Sequence, residues 1–164
     1  MKKNTRGFSL IELLIVVAII LIIAAIAIPN LLRSRIAANQ ASAVGSLRTL
    51  NTAEVTYAST YNSGYAAQLS YMGPPAAGAN PTADAAGLID SVLAGTTNDS
   101  VKSGYGFNYV PAAPVQGRID TYAITASPST PGTTGSNFYF TDMSGVIRQN
   151  TTGTASAADS PIGG

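Results

Sequence analysis

Residues 6–29 of the chain read RGFSLIELLIVVAIILIIAAIAIP, and this stretch decides how the fold begins. Every residue from Leu13 to Ile28 is apolar. The run from Phe8 to Ile28 corresponds to about 31 Å of helix, which is enough to cross the hydrocarbon core of a bilayer. The stretch therefore predicts a helix that spans a membrane.

Glu12 is the unusual residue of this run, because it places a carboxylate among apolar side chains. A charge inside a membrane costs roughly 2.5–3.5 kcal/mol on insertion scales and is usually functional. No Lys or Arg lies between Phe8 and Ile28, so a basic partner within the run is excluded. The partner must be the start of the chain, a lipid headgroup or another molecule.

Three other interpretations explain the stretch less well. A secretory signal peptide has a shorter apolar core and a small-residue exit, whereas this run ends in Ile26-Ala27-Ile28-Pro29. A plain membrane anchor accounts for the length but leaves the cost of Glu12 unexplained. A buried helix of a soluble protein does not account for a run without a polar face.

The charges that flank the run predict its orientation. Lys2, Lys3 and Arg6 precede it, and Arg33 and Arg35 follow it. Because cytoplasmic flanks carry the excess of basic residues, we expect the N-terminus to lie in the cytoplasm.

The N-terminal sequence resembles type IV pilins and the related pseudopilins of type II secretion. The resemblance covers Lys2 to about Leu32: a basic leader ending in Gly7, then Phe8-Ser9-Leu10-Ile11-Glu12, an apolar stretch and Pro29. It implies that a membrane peptidase cuts between Gly7 and Phe8 and methylates the new N-terminal Phe8. It also implies that Glu12 has the role of the family's glutamate, five residues into the mature chain.

This resemblance suggests a partner for the carboxylate. Cleavage creates an amine at Phe8, which can pair with Glu12 of a neighbouring subunit inside a bundle of apolar helices. A paired buried charge costs much less than a lone one, and a single buried polar group can set register between helices. Glu12 is thus predicted to be an assembly determinant.

Pro29 interrupts the helical pattern at the end of the apolar run. Because proline lacks an N–H and clashes with the preceding turn, it predicts either a kink or local opening over residues 25–29 or the start of a new helix at the membrane surface. In the family, a Pro here marks a stretch that can lose helical structure in the filament. Many relatives carry Gly at the position of Leu21, and this chain does not.

The pattern becomes amphipathic from Leu31 to about Tyr61, where apolar residues recur at helical spacing. Arg33, Arg48 and Glu54 are expected to face solvent or a neighbour. Asn62-Ser63-Gly64 is expected to end the helix. The amphipathic residues are Leu32, Ile36, Ala43, Leu47, Leu50, Tyr57 and Tyr61.

The second half of the chain predicts strands joined by loops. Strand patterns cover Tyr105–Val110, Ile119–Ala126, Asn137–Thr141 and Val146–Gln149, with Gly145 expected at positive φ in a tight hairpin. A short helix is expected over Ala85–Leu93, with Leu88, Ile89 and Val92 inward. The segment from Phe138 to Arg148 also resembles the end of bacterial pilin heads. Residues 150–164 are expected to form a loose tail, and the sheet edge there is expected to be held by hydrogen bonds or by neighbours.

These elements predict an α+β fold in which a long N-terminal helix packs against a small antiparallel sheet of three or four strands. The predicted organisation is a cytoplasmic leader at 1–7 that is removed, a transmembrane and filament-core helix at 8–30, the amphipathic half of the same helix at 31–62, and a globular head at 63–164 with its tail.

Composition argues against several classes of function. The chain has no Cys and no His, which removes the commonest general base and metal ligand. Outside the leader the chain has six basic and eight acidic residues, so no nucleic-acid binding is expected. Asp99, Asp120 and Asp142 lack the dense oxygen spacing of a calcium site. We therefore predict no catalytic residue, no metal and no cofactor.

The leading functional hypothesis is a structural subunit of an extracellular type IV pilus-like filament, stored as an inner-membrane precursor. Its expected partners are copies of itself, the prepilin peptidase and methylase, the pilus assembly machinery and, before assembly, the bilayer. The alternative is a pseudopilin of a type II secretion system, which the first 32 residues do not separate from a pilin.

Overall fold

The structure is a computed structural model and describes residues 8–163. It divides into two units, one ending at Arg35 and the other beginning at Ile36. The first helix, α1, runs over Leu10–Tyr61 and contains Pro29 as a helical residue. The predicted leader, residues 1–7 with the cleavage residue Gly7, lies outside the described residues.

The part of α1 that belongs to the second unit buries one face. The buried positions recur every three or four residues, as expected for an amphipathic helix. This confirms the predicted core positions Ala43, Leu47, Leu50 and Tyr57, whereas Leu32 is exposed. The buried residues of α1 are Ala43, Ser46, Leu47, Leu50, Ala53, Glu54 and Tyr57.

Five antiparallel strands form one sheet in chain order. They are β1 (Asp99–Lys102), β2 (Tyr105–Pro111), β3 (Tyr122–Pro128), β4 (Phe138–Asp142) and β5 (Arg148–Asn150). The register pairs Phe107 with Ala126, Ile124 with Thr141, and Phe140 with Arg148. The predicted α+β fold is confirmed, with one strand more than the three or four expected, because Asp99–Lys102 pairs with the start of β2.

The core lies between α1 and one face of the sheet. Alternate residues of the strands point into it, as the pleat requires. On β4 the inward residues are Tyr139 and Thr141, while Phe138 and Phe140 are half-buried on the other face. The buried strand residues include Tyr105, Phe107, Tyr109, Tyr122, Ile124 and Ala126.

The helix predicted over Ala85–Leu93 was placed wrongly. After a 3₁₀ turn at Leu69–Met72, the second helix, α2, covers only Ser91–Ala94. Asp90 adopts an extended backbone and its side chain accepts a hydrogen bond from the Leu93 amide at 3.0 Å, so it caps the helix and fixes its start. Ile89 is buried as predicted, but Val92 is 55% exposed.

The described part of the tail is attached to the sheet. Arg148 pairs with Pro161 in a β-bridge, and the Ile162 amide donates to the Ile147 carbonyl at 2.9 Å. Asp159 accepts hydrogen bonds from Asn150 at 2.8 Å and from the Ser156 amide at 2.6 Å. The expectation of a loose tail is therefore wrong for these residues, because local hydrogen bonds replace the apolar contacts that the composition lacks.

Candidate functional site

The first unit exposes an apolar surface over its whole described length. None of residues 8–35 is buried, and Phe8 is 79% exposed. By length and composition, α1 is the single described helix that could cross a membrane. A surface of this size in water would be costly, so it requires lipid or other protein around it.

Glu12 lies in the first turn of α1 and contacts the residue that caps the helix. The Ser9 carbonyl accepts a helical hydrogen bond from the Leu13 amide at 3.2 Å, and the Ser9 amide donates to Glu12 Oε2 at 2.9 Å. This is the carboxylate half of a capping box. The sequence excluded a basic partner within the run; the structure adds a backbone donor, which satisfies one oxygen without neutralising the charge.

Pro29 lies inside α1, and the helix is continuous around it. Loss of helical structure at this point in a filament stays a prediction.

A second arrangement of polar groups is buried in the head, around Ala66. Glu54 is 0% exposed, and its Oε2 accepts a hydrogen bond from the Ala66 amide at 3.0 Å. The Tyr109 hydroxyl donates to the Ala66 carbonyl at 2.6 Å. We name these three residues the Ala66 clamp. It joins α1, the loop that follows it and strand β2.

Burial raises the pKa of Glu54 from 4.5 to about 7, although the Ala66 amide and the nearby Tyr109 hydroxyl act in the opposite direction. Within residues 8–163, Glu54 forms no ion pair, and its Oε1 is buried without a hydrogen-bond partner. Burial also raises the pKa of the Tyr109 and Tyr122 hydroxyls. With a pKa of about 7, the Glu54 carboxyl is neutral in mildly acidic solution and about half protonated at pH 7.

The expectation that Glu54 faces solvent or a neighbour is therefore wrong. Its position is set by helical spacing, three residues before Tyr57 and four after Leu50 on the buried face of α1. That helical spacing is the signal in the sequence that points to burial, although carboxylates usually lie on the surface.

Asn51 is a further residue that the sequence did not single out. Its Nδ2 donates to Thr141 Oγ1 at 2.9 Å and to the Gly145 carbonyl at 3.3 Å, and its Oδ1 accepts from the Tyr122 hydroxyl at 3.1 Å. The side chain thus attaches α1 to β3, β4 and the turn after β4. The predicted hairpin turn is confirmed, with Gly145 at φ 72 and its amide donating to the Asp142 carbonyl at 2.9 Å.

The N-terminal segment is similar to known proteins. Residues 2–28 match the family model described as the prokaryotic N-terminal methylation motif. The chain is 52% identical over 54 residues to the type IV major pilin protein PilA of Myxococcus xanthus, covering 33% of this chain and 24% of that protein. It is 65% identical over 37 residues to the type IV wide pilus major component PilA4 of Thermus thermophilus, covering 23% of this chain and 28% of that protein.

The N-terminal segment is similar to that of type IV pilins. The resemblance seen in the sequence is thereby confirmed. The matched region spans about a quarter of the length of the curated relatives. No solved structure matches the chain.

The carboxylates Asp99, Asp120 and Asp142 each have their own local contacts in the head. Asp99 accepts from Asn108 at 2.8 Å, Arg118 pairs with Asp120 at 2.6 Å, and Asp142 accepts from the Ser144 amide at 2.9 Å. Among residues 8–163, no group of three or more His, Cys, Asp or Glu side chains lies close enough to hold a metal ion.

Two Asn-x-Ser/Thr triplets occur in the chain, Asn98-Asp99-Ser100 and Asn150-Thr151-Thr152, and both asparagine side chains form hydrogen bonds within the fold. Asn98 Oδ1 accepts from the Leu69 amide at 3.1 Å, and Asn150 Nδ2 donates to Asp159 at 2.8 Å. Both side chains thus serve the packing of loops.

Proposed function

We propose that this chain is a structural subunit of an extracellular type IV pilus-like filament and that its activity is self-association. The precursor is held in the inner membrane with its N-terminus in the cytoplasm. It is cut between Gly7 and Phe8, methylated on Phe8 and then polymerised by the pilus assembly machinery. The observation that carries the proposal is the exposed apolar helix, with one carboxylate in its first turn, on a chain whose relatives are major pilins.

The apolar helix supports storage in a membrane followed by transfer into a helical bundle. Its side chains are exposed around the whole helix from Leu10 to Leu32. Lipid covers such a surface in the precursor, and neighbouring helices cover it in a fibre. A heterologous contact repeated between identical subunits does not close and produces a fibre.

Glu12 supports a defined register in this bundle. In the single chain its Oε2 accepts from the Ser9 amide, so one oxygen is satisfied while the charge stays uncompensated. The new amine of Phe8 in an adjacent subunit supplies the compensating positive charge. A misplaced subunit leaves a carboxylate buried without a cation, and this is strongly unfavourable.

Substitutions of Glu12 test the proposal in cells that express the full chain together with a type IV pilus assembly machinery. Glu12→Ala removes both the charge and the acceptor, and Glu12→Gln removes the charge but keeps an acceptor for Ser9. Leu13→Ala is the matched control, because Leu13 is an exposed neighbour without a polar group. Surface fibres are sheared, imaged by electron microscopy and weighed by mass spectrometry.

The wild-type and Leu13→Ala chains are expected to yield fibres whose main component starts at methylated Phe8. Both Glu12 variants should be inserted and processed, and should yield few or no fibres. A normal yield from Glu12→Gln would refute the role of the charge, and a normal yield from Glu12→Ala would refute the assembly role altogether. A wild-type chain that is processed but never found in fibres would refute the filament proposal.

The alternative function, a pseudopilin of a type II secretion system, receives no support from the relatives, which are named as pilus components.

A further inference from the structure

A groove runs along the head beside Arg48. One cavity of about 380 Å³ lies between α1 and the β4–β5 side of the sheet, and its lining includes Val44, Tyr139 and Gln149. A second cavity of about 260 Å³ includes Val146 and Ile147. Arg48 and Ile162 line both cavities, so the two form one continuous surface, which we name the Arg48 groove.

Arg48 is an exposed cation without a partner in the described chain. Within residues 8–163 its side chain forms neither an ion pair nor a hydrogen bond, whereas Lys102 and Arg118 pair with Asp90 and Asp120. The Arg48 side chain lies beside an apolar lining that includes Ile147 and Ile162. A carboxylate that bound Arg48 there would form a partly buried ion pair, and such pairs are screened less by salt than exposed ones.

The head as a whole has the opposite charge. Residues 36–164 contain four basic and seven acidic side chains, a net charge of −3. Asp84 lies exposed in the loop before α2 and, among residues 8–163, forms no ion pair or side-chain hydrogen bond. A second copy of the head therefore offers a free carboxylate to the Arg48 groove, from the loop before α2.

We propose that the Arg48 groove is the surface on which the head of a second copy of this chain docks, with Asp84 of that copy paired to Arg48. The inference rests on the proposed filament function and adds a contact between heads to the helix contacts already proposed. In the proposed fibre the groove of one copy receives the Asp84 loop of the next, which is a heterologous contact that adds subunits in series. The apolar lining supplies area, and the charge pair fixes orientation.

Charge reversal tests this docking in the same full-length expression system. Arg48→Glu should lower fibre yield about tenfold or more, because a repelled carboxylate weakens each contact between heads. Arg48→Lys keeps the charge and should keep most of the yield. Arg118→Glu is the matched control, since it reverses a surface arginine outside the groove. Resistance of the membrane-held precursor to protease checks that every variant folds.

Adding Asp84→Lys to the Arg48→Glu chain should restore fibres, because the pair is re-formed with its charges exchanged. Wild-type fibre yield from Arg48→Glu overturns the docking surface, and a loss that Asp84→Lys does not restore overturns Asp84 as the partner. In either case the wild-type chain still forms fibres, so failure of this inference is distinct from failure of the filament proposal.

Discussion

The carboxylate of Glu54 accepts a hydrogen bond from the backbone amide of Ala66 at 3.0 Å, twelve residues further along the chain. The bond holds the segment that leaves α1 against the buried face of the same helix. Because Tyr109 binds the carbonyl of Ala66, both backbone groups of one residue are satisfied by side chains from two other elements. Helix α1, the loop that follows it and strand β2 are thus connected at Ala66, and the buried carboxyl group of Glu54 is part of this connection.

The Ala66 clamp predicts that the head loses stability as the pH rises from about 4.5 to 7. In this range the unfolded chain releases the Glu54 proton while the folded chain keeps it, since burial raises the pKa from 4.5 to about 7. At about 1.4 kcal/mol per pKa unit, the loss is on the order of 3 kcal/mol and is complete above pH 7. Glu54→Gln should abolish this fall and be more stable than the wild type at pH 8.

Thermal unfolding of the full chain in detergent, followed by circular dichroism from pH 3 to 9, measures this profile. Asp90→Asn is the control with the opposite sign. The Lys102 contact holds the pKa of Asp90 below its usual range, so the contribution of Asp90 is lost as the pH falls. Its removal should alter the acid limb and leave the fall between pH 4.5 and 7. A wild-type profile that is flat over that range would contradict the prediction.

Tyr109→Phe should destabilise the head by about 1–3 kcal/mol, because the buried Ala66 carbonyl loses its donor and finds no water. Tyr61→Phe is the matched control, since within residues 8–163 the Tyr61 hydroxyl makes no hydrogen bond. Urea unfolding of both variants gives the two free energies. Equal losses would show that the hydroxyl of Tyr109 contributes nothing specific.

Gly64 and Gly78 have nearly the same backbone conformation but differ in the space around the Cα atom. Replacing each by Ala therefore distinguishes the cost of a steric clash from the cost of a positive φ. Gly64 and Gly78 have φ values of 79 and 82. A Cβ at Gly64 would strike the Ile119 carbonyl oxygen, whereas one at Gly78 would meet open space. Gly78→Ala should cost about 1 kcal/mol from the positive φ alone. Gly64→Ala should cost about 4 kcal/mol or more, and similar melting of the two variants would contradict this difference.

The contacts of Asp159 predict protection of the chain after Arg148. Asp159 accepts from Asn150 and Ser156, and its carbonyl accepts from Arg148 Nη1 at 2.9 Å. Asp159→Ala should free the tail and expose the bond after Arg148 to trypsin, with little change in global unfolding. The control variant Asp120→Ala, which removes an exposed ion pair, should be cleaved by trypsin at the wild-type rate. Equal cleavage of both variants would show that the tail is held by other contacts.

The spacing of apolar residues along the sequence predicted most elements of the fold. Helical spacing identified Leu47, Leu50 and Tyr57 as core, and alternation with a tight turn identified four of the five strands. The strand at Asp99–Lys102 was not predicted, because its residues are mostly polar and form a strand only through pairing with β2. The short helix was misplaced since its start depends on one cap, Asp90, which the apolar pattern does not reveal.

The Ala66 clamp could not be predicted, because residues 54, 66 and 109 lie on three different elements. Their hydrogen bonds exist only after the helix has packed on the sheet. The same holds for Asn51, whose partners Tyr122 and Thr141 are about 70 and 90 residues away.

The amino-acid order by itself determined the membrane-length apolar helix, its single carboxylate and its similarity to the N-terminal segment of type IV pilins, because each depends on neighbours along the chain. Tertiary structure alone decided that Glu54 is inside the head, that Arg48 lies beside a groove with no ion-pair partner among residues 8–163, and that the described part of the tail is attached to β5. Those features depend on residues far apart in sequence, whose distances are set by packing and not by spacing.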